Sequence, residues 1–250
     1  MPLSGLLVAA GGVTGAIVGS YLATLVLRWP RGEGASRGRS ACDHCGVTIR
    51  PADLVPILSH LLRRGRCRAC GQPIDATHFL VEASGAAIGA GAMALSPGVA
   101  GAVLALMGWI LLPLVILDWR HLWLPDRLVA ILAASGLPLA GLANGLPLID
   151  RLIGGAAGFA SLWGIAFLYR RWRGREGMGE GDPKLFGALG CWCGWAGLPL
   201  VLLGAAAGLL AYALLSGVAG EREREHPLGS ALGVAGFLLL AAEASRVVIL

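Results

Sequence analysis

Long apolar runs separated by short polar joints dominate this chain. Eight runs stand out, near residues 4–27, 79–96, 98–118, 127–146, 151–169, 184–197, 199–218 and 228–247. Several approach the roughly 20 residues a helix needs to cross a bilayer, so each predicts a transmembrane helix, with 184–218 tight for two. The only sizeable polar stretch, residues 28–78, falls between the first two runs. The pattern predicts an all-α polytopic membrane protein of about eight transmembrane helices. It divides into a first helix (1–27), an extramembrane loop (28–78) and a multi-helix transmembrane domain (79–250).

Composition excludes a single water-soluble core. Of 250 residues, 56% are hydrophobic and 14% charged, against about 25% charged in ordinary globular chains, and the mean hydropathy is +0.72. A net charge of +5 would suggest nucleic acid in a soluble domain. Here the placement of the cations matters more, and the expected partner is lipid rather than nucleic acid.

The first run, "SGLLVAAGGVTGAIVGSYLATLVL", has no basic residue ahead of it and an Arg cluster behind it. That is the reverse of a secretory signal peptide and predicts a retained helix with its N-terminus outside. Alternating the spans from that start collects 18 of the 20 Lys and Arg residues on one side, leaving Arg151 and Arg246 opposite. The positive-inside rule puts the basic loops in the cytoplasm. The sign-alternating "EREREHP", residues 221–227, reads as a solvated turn.

The polar loop carries "CDHC" and "CRAC", that is Cys42, Cys45, Cys67 and Cys70. Two CxxC knuckles at this separation can supply four thiolates in a tetrahedron around Zn²⁺. With few large apolar side chains the loop has little to bury, so metal binding would fold it as a zinc-ribbon-like module. Disulfides compete as a reading, but a reducing cytoplasm disfavours them. Four cysteine ligands leave no open position, so the zinc is expected to be structural. Cys191 and Cys193 sit in an apolar run and read as packing residues.

Two aspartates carry the candidate chemistry. In "LLPLVILDWRHLWLPDRL", residues 111–128, Asp118 ends an apolar run. A helix C-terminus favours a cation, so a carboxylate there gains neither cap nor dipole. A salt bridge to Arg120 or Arg127 is the competing explanation. Asp126 follows Pro125 and reads as an ordinary N-cap. In "EGMGEGDPKLFGALG", residues 176–190, Asp182 before Pro183 also reads as an N-cap.

The expected topology nevertheless brings Asp118 and Asp182 to the same membrane face, where carboxylates are costly and become functional candidates. Face to face, one ionised and one protonated, they could activate water and polarise a scissile carbonyl, titrating as a pair. Gly179 and Gly181 would let a peptide backbone approach and loosen the loop. Glu176, Glu180 and Asp126 could steer a basic segment, or be solvated loop charges. Glu82 reads as a buried acid, able to contact substrate or methyl donor or to pair with Arg66 or Arg68.

The elements "GSYLATLVLRWP", CxxC…CxxC, "DWRHLWLPD" and "GMGEGDPK" occur in that order over about residues 15–190. Together they resemble the type IV prepilin peptidases, polytopic GxGD-type aspartic proteases. The resemblance implies cleavage of a short basic leader from prepilins or pseudopilins after a glycine, at the cytoplasmic face of a bacterial inner membrane. It also implies, in many members, N-methylation of the new terminus from S-adenosylmethionine. The family's catalytic acids fall on Asp118 and Asp182. Ala23 and Leu54 stand where the family pattern has Asn, and "HFLVE" where an aromatic-Pro pair usually leads into LVE; these departures bear on methylation rather than on proteolysis. Two rival readings are a transporter or proton channel using the acids as relays, which needs acids nearer the bilayer midplane, and a non-catalytic assembly factor docking through the zinc module.

Overall fold

The structure, a computed structural model, describes residues 3–36, 39–216 and 226–247. Of the expectations above, Arg37, Arg222, Arg224 and residues 221–225 of the sign-alternating run lie outside them. The described residues form helices, with no strand beyond two isolated bridges. They fall into two compact units, Met1–Pro97 and Gly98–Leu250.

In the first unit, α1 (Leu3–Arg28) leads into a loop that carries the short α2 (Leu58–Leu62), and α3 (Ala76–Leu95) packs antiparallel on α1. Gly11, Gly15 and Gly19 make the buried stripe of α1. A Cβ on Gly15 would stand 2.0 Å from the Gly85 carbonyl oxygen, so the two backbones touch where side chains would separate them, as small residues allow in membranes. Asp75 caps α3, accepting the Thr77 N–H at 2.8 Å.

Glu82 is buried on α3, but its partner is not arginine. It accepts the Ile57 N–H at 2.7 Å, while Arg63 and Arg68 reach Asp53 at 2.8 and 3.7 Å. Ile57 has φ 62 and ψ −55, with Leu58 N–H bonded to Pro56 O. This is a strained γ-turn for a β-branched residue. The Glu82 carboxylate holds the turn by its amide, which explains why an acid is buried there.

The second unit contains α4 (Val99–His121), α5 (Asp126–Leu139), α6 (Gly141–Asn144), α7 (Leu148–Arg173), α8 (Gly181–Leu215) and α9 (Leu228–Val247). Among the described residues six helices are long and apolar enough to span a membrane, in α1, α3, α4, α7, α8 and α9. The expected count of about eight is not confirmed, for two reasons. The 127–146 run forms α5, whose 14 residues rise only about 21 Å against a hydrocarbon core of about 30 Å, followed by α6. The runs at 184–197 and 199–218 form the two arms of α8, which break at Gly194 (φ 66, ψ 175), a conformation open essentially to glycine alone, and the arm before the break is, like α5, too short to cross the hydrocarbon core.

The two arms of α8 run in opposite directions. Before the break, Asp182 neighbours Gly229 at the start of α9 and Leu189 packs on Gly236. After it, Gly197 faces Leu239, Gly204 faces Ala235, and Tyr212 meets Trp119 of α4 edge-on at 5.0 Å. The second arm thus returns to the end of the unit where Asp182 lies. Asn144 donates to the Trp192 carbonyl at 2.9 Å beside the break. The Trp192 indole N–H reaches the Leu132 carbonyl at 2.8 Å and ties this arm to α5. At the same end as the break, the buried Arg151 donates to the Gly136 and Leu137 carbonyls of α5, a favourable place for a cation.

Candidate active site and metal centre

Asp118 sits one turn from the end of α4, where Leu122 in the left-handed region stops the helix. Asp182 sits in the first turn of α8. Both are buried, at 5% and 7% exposure, in a unit whose surface is otherwise largely apolar. Gly229 stands between them, since a Cβ there would lie 3.1 Å from Asp118 Cγ and its backbone lies against Asp182. The structure therefore brings the two acids singled out in the sequence to one place, the same end of the second unit.

The structural explanations weighed for these acids fail locally. The start of α8 has no side-chain cap bond, and the Asp182 N–H bonds to the Gly179 carbonyl at 3.2 Å. Asp182 is therefore not an N-cap. Asp118 bonds to Ser230 rather than to Arg120 or Arg127. The Ser230 N–H donates to Asp118 Oδ2 at 2.6 Å and the Ser230 hydroxyl to the same oxygen at 2.9 Å. The Gly179 and Gly229 backbone amides lie against Asp182.

Asp126 is not an N-cap either. Pro125 occupies that position, and Asp126, in the first turn of α5, pairs with Lys184 Nζ at 2.7 Å. The pair links the starts of α5 and α8. Glu176, in the loop after α7, stands 3.8 Å from Arg170 in the last turn of that helix, both side chains exposed. Gly181 serves packing rather than an open approach: a Cβ there would meet Leu124 at 2.8 Å. Cys191 and Cys193 are buried among apolar neighbours, as expected of packing residues.

Sequence reasoning missed Gly229 and Ser230. The available signal was weak, a glycine and a serine opening an apolar run after "EHPL". Such residues are ordinary at a helix start. Only the packing of α9 against α4 and the first arm of α8 turns them toward the two acids.

In the first unit, Cys42, Cys45, Cys67 and Cys70 have their Sγ atoms all within 4.8 Å of one another. The two knuckles repeat one backbone design. Cys42 and Cys67 each accept the N–H of the glycine four residues on, and each donates its own N–H to the carbonyl five residues on, at Val47 and Gln72. The bridges Ala41–Thr48 and Arg66–Pro73 close both loops in the same register.

This cluster fits a tetrahedral zinc. Zn–S bonds of about 2.3 Å put sulfurs about 3.8 Å apart, and Cys42 and Cys70 are 3.9 Å apart. The Cys70 and Ala69 amides pull the Cys67 thiol down to about 6. Against the pull of the Gln72 amide, desolvation and the neighbouring thiols push Cys70 up to about 11. Four thiols this close cannot all ionise without a cation among them.

Two family models match. Residues 13–95 match the bacterial peptidase A24 N-terminal domain, and residues 104–214 match the type IV leader peptidase family. Among curated relatives, a prepilin leader peptidase/N-methyltransferase of Burkholderia pseudomallei is 42% identical over 192 residues, covering 76% of this chain and 62% of the relative. The enzyme of that name from Aeromonas hydrophila is 38% identical over 208 residues, covering 81% and 71%. That from Pseudomonas aeruginosa is 37% identical over 209 residues, covering 80% and 70%. This chain thus aligns with less than two thirds of the Burkholderia protein's length. No solved structure matches. With buried acids at the motif positions, a four-thiol cluster in the first unit and relatives of this similarity, the chain belongs to the type IV leader peptidase family.

Proposed function

We propose that this protein is an aspartic endopeptidase that removes the basic leader of type IV prepilins or pseudopilins, with Asp118 and Asp182 as its catalytic pair. One observation carries the reading: two buried carboxyl groups, distant in sequence, meet at one end of a helical membrane unit with no cation neutralising them among the described residues. Such a pair can share a proton. One carboxylate takes a proton from water as the water oxygen attacks the scissile carbonyl carbon. The partner carboxyl donates its proton to the carbonyl oxygen. The tetrahedral intermediate then collapses as the C–N bond breaks: the departing amine takes the proton that came from water, and one hydroxyl of the intermediate returns its proton to the other carboxylate, regenerating the pair.

The acids lie at helix ends rather than midway along them, which suits cleavage at a membrane surface better than a proton relay through the bilayer. We assign that surface to the cytoplasmic face, on the clustering of basic residues in the joints. The substrate is then a single apolar helix preceded by a basic leader at the inner membrane. We keep the division into residues 1–27, 28–78 and 79–250, with both acids in the last part. Cys42, Cys45, Cys67 and Cys70 hold a structural Zn²⁺ that cross-links the two knuckles. The relatives' names also include N-methyltransferase, and methylation of the new N-terminus from S-adenosylmethionine is the second activity to be read from the product.

The test is cleavage of a purified prepilin in liposomes by wild type, Asp118→Asn, Asp182→Asn and Asp126→Asn, with the product's N-terminal mass recorded. Both catalytic variants should lose cleavage while keeping fold and zinc content. Asp126→Asn, losing only an exposed ion pair, should stay within about fivefold of wild type. Unchanged cleavage in either catalytic variant would sink the assignment. The product mass reads directly whether a methyl group has been added.

A further inference from the structure

The first turn of α9 lies beyond the matched region 104–214, yet it addresses both acids. The Gly229 backbone lies against Asp182, and Ser230 gives its amide and hydroxyl to Asp118 Oδ2. The approach is close enough to require glycine at 229, because a Cβ there would stand 3.1 Å from Asp118 Cγ and 2.8 Å from Leu124 Cδ1. Ser230 is itself buried, at 3% exposure.

The Ser230 hydroxyl has a second acceptor, the Val115 carbonyl at 2.9 Å, one helical turn before Asp118. A hydroxyl carries one hydrogen and two lone pairs and rotates to suit its neighbours. Facing a carboxylate, it donates to Asp118 Oδ2. When the proton arrives on Oδ1, Oδ2 becomes the acid's carbonyl oxygen and still accepts the Ser230 amide, while the hydroxyl hydrogen can turn to Val115 O as the charge on Oδ2 falls. In either state the Ser230 amide and the α4 backbone keep their places. Both bonds fall on Oδ2, so Oδ1 stays available to take a proton from water.

We propose that Ser230 is a positioning residue of the peptidase reaction, holding the Asp118 carboxyl in one orientation while its proton comes and goes. The inference rests on the aspartic peptidase reading above. It differs from a packing role because Ser230 need not touch substrate, and its loss should slow the chemical step without weakening substrate binding. Deleting one charge-assisted hydrogen bond of this kind should cost about ten- to a hundredfold in rate.

The experiment compares wild type, Ser230→Ala, Ser230→Thr and Ser230→Cys in liposomes, measuring kcat and KM for prepilin cleavage and the midpoint of thermal unfolding. Infrared difference spectra of the same samples identify the carboxyl band that Asp118→Asn removes. Ser230→Ala should lower kcat by the stated factor with KM unchanged and should shift that band. Ser230→Thr, which keeps the hydroxyl, should restore most of both. Should the alanine variant unfold, Ser230→Cys, close in volume and a weaker donor, should show the same kcat loss in smaller measure. A folded Ser230→Ala with wild-type kcat, a loss confined to KM, or an unmoved band would overturn the proposal. A wild type that cleaves nothing while the band still moves would instead overturn the peptidase reading and leave the hydrogen bond supported.

Discussion

At the scale of single residues, each acid is explained by its neighbours rather than by its position in a motif. Asp126 and Asp182 both follow a helix-start pattern, yet one is an exposed partner of Lys184 and the other a buried neighbour of Asp118. A helix start accepts a carboxylate in either setting, so local spacing could not separate them. The thiols are likewise differentiated by their amides. In protein stripped of metal, Cys67, pulled to about 6, is largely thiolate at pH 7, whereas Cys70, pushed to about 11, is not. The thiolate is the reactive form. Iodoacetamide at pH 7 should therefore alkylate Cys67 well before Cys70, the preference should fade as the pH falls below about 6, and zinc should protect both. Peptide mass mapping measures the order, and equal labelling at pH 7 would contradict it.

At the scale of elements, glycine decides which helices touch and where one breaks. The α1–α3 contact has backbone against backbone at Gly15 and Gly85, while Gly5, earlier on α1, has open space around its Cβ position. Gly15→Ala must push two helices apart, since a carbonyl oxygen cannot rotate away as a flexible side chain would. It should destabilise the first unit by about 1–3 kcal/mol. Gly5→Ala should stay within about 0.5 kcal/mol. Denaturant unfolding in detergent distinguishes the two, and equal effects would refute the close packing. Gly194 illustrates the limit of hydropathy as a signal: the runs at 184–197 and 199–218 predict a reversal between them, but the backbone breaks at Gly194, inside the first run, because hydropathy carries no information about φ and ψ.

At the scale of the whole molecule, the polar loop is the part least able to fold by burial. No described residue from 29 to 75 is buried, and Val55, Leu58, Leu61 and Leu62 are exposed. The knuckles thus have no core of their own to fold around, and a metal cross-link would supply what burial does not, as in small metal modules. Protein as purified should carry one zinc per chain. A strong chelator should open residues 39–75 to proteolysis while the helices of the second unit resist. Protection that persists after complete metal loss would show that the loop folds without it.

The sequence alone determined the class of molecule, the candidate metal ligands and the two catalytic candidates. These depend on quantities written directly along the chain: apolar run length against bilayer thickness, cysteine spacing against a tetrahedron, and a carboxylate at the wrong end of a helix. Tertiary structure decided the rest. The Ile57 amide rather than an arginine satisfies Glu82, Lys184 rather than a helix end satisfies Asp126, and Gly229 and Ser230 meet acids 47 and 112 positions away. Partners so distant in sequence are chosen by which helix faces pack together, and that choice depends on glycine contacts and on the position of a backbone break that hydropathy does not encode.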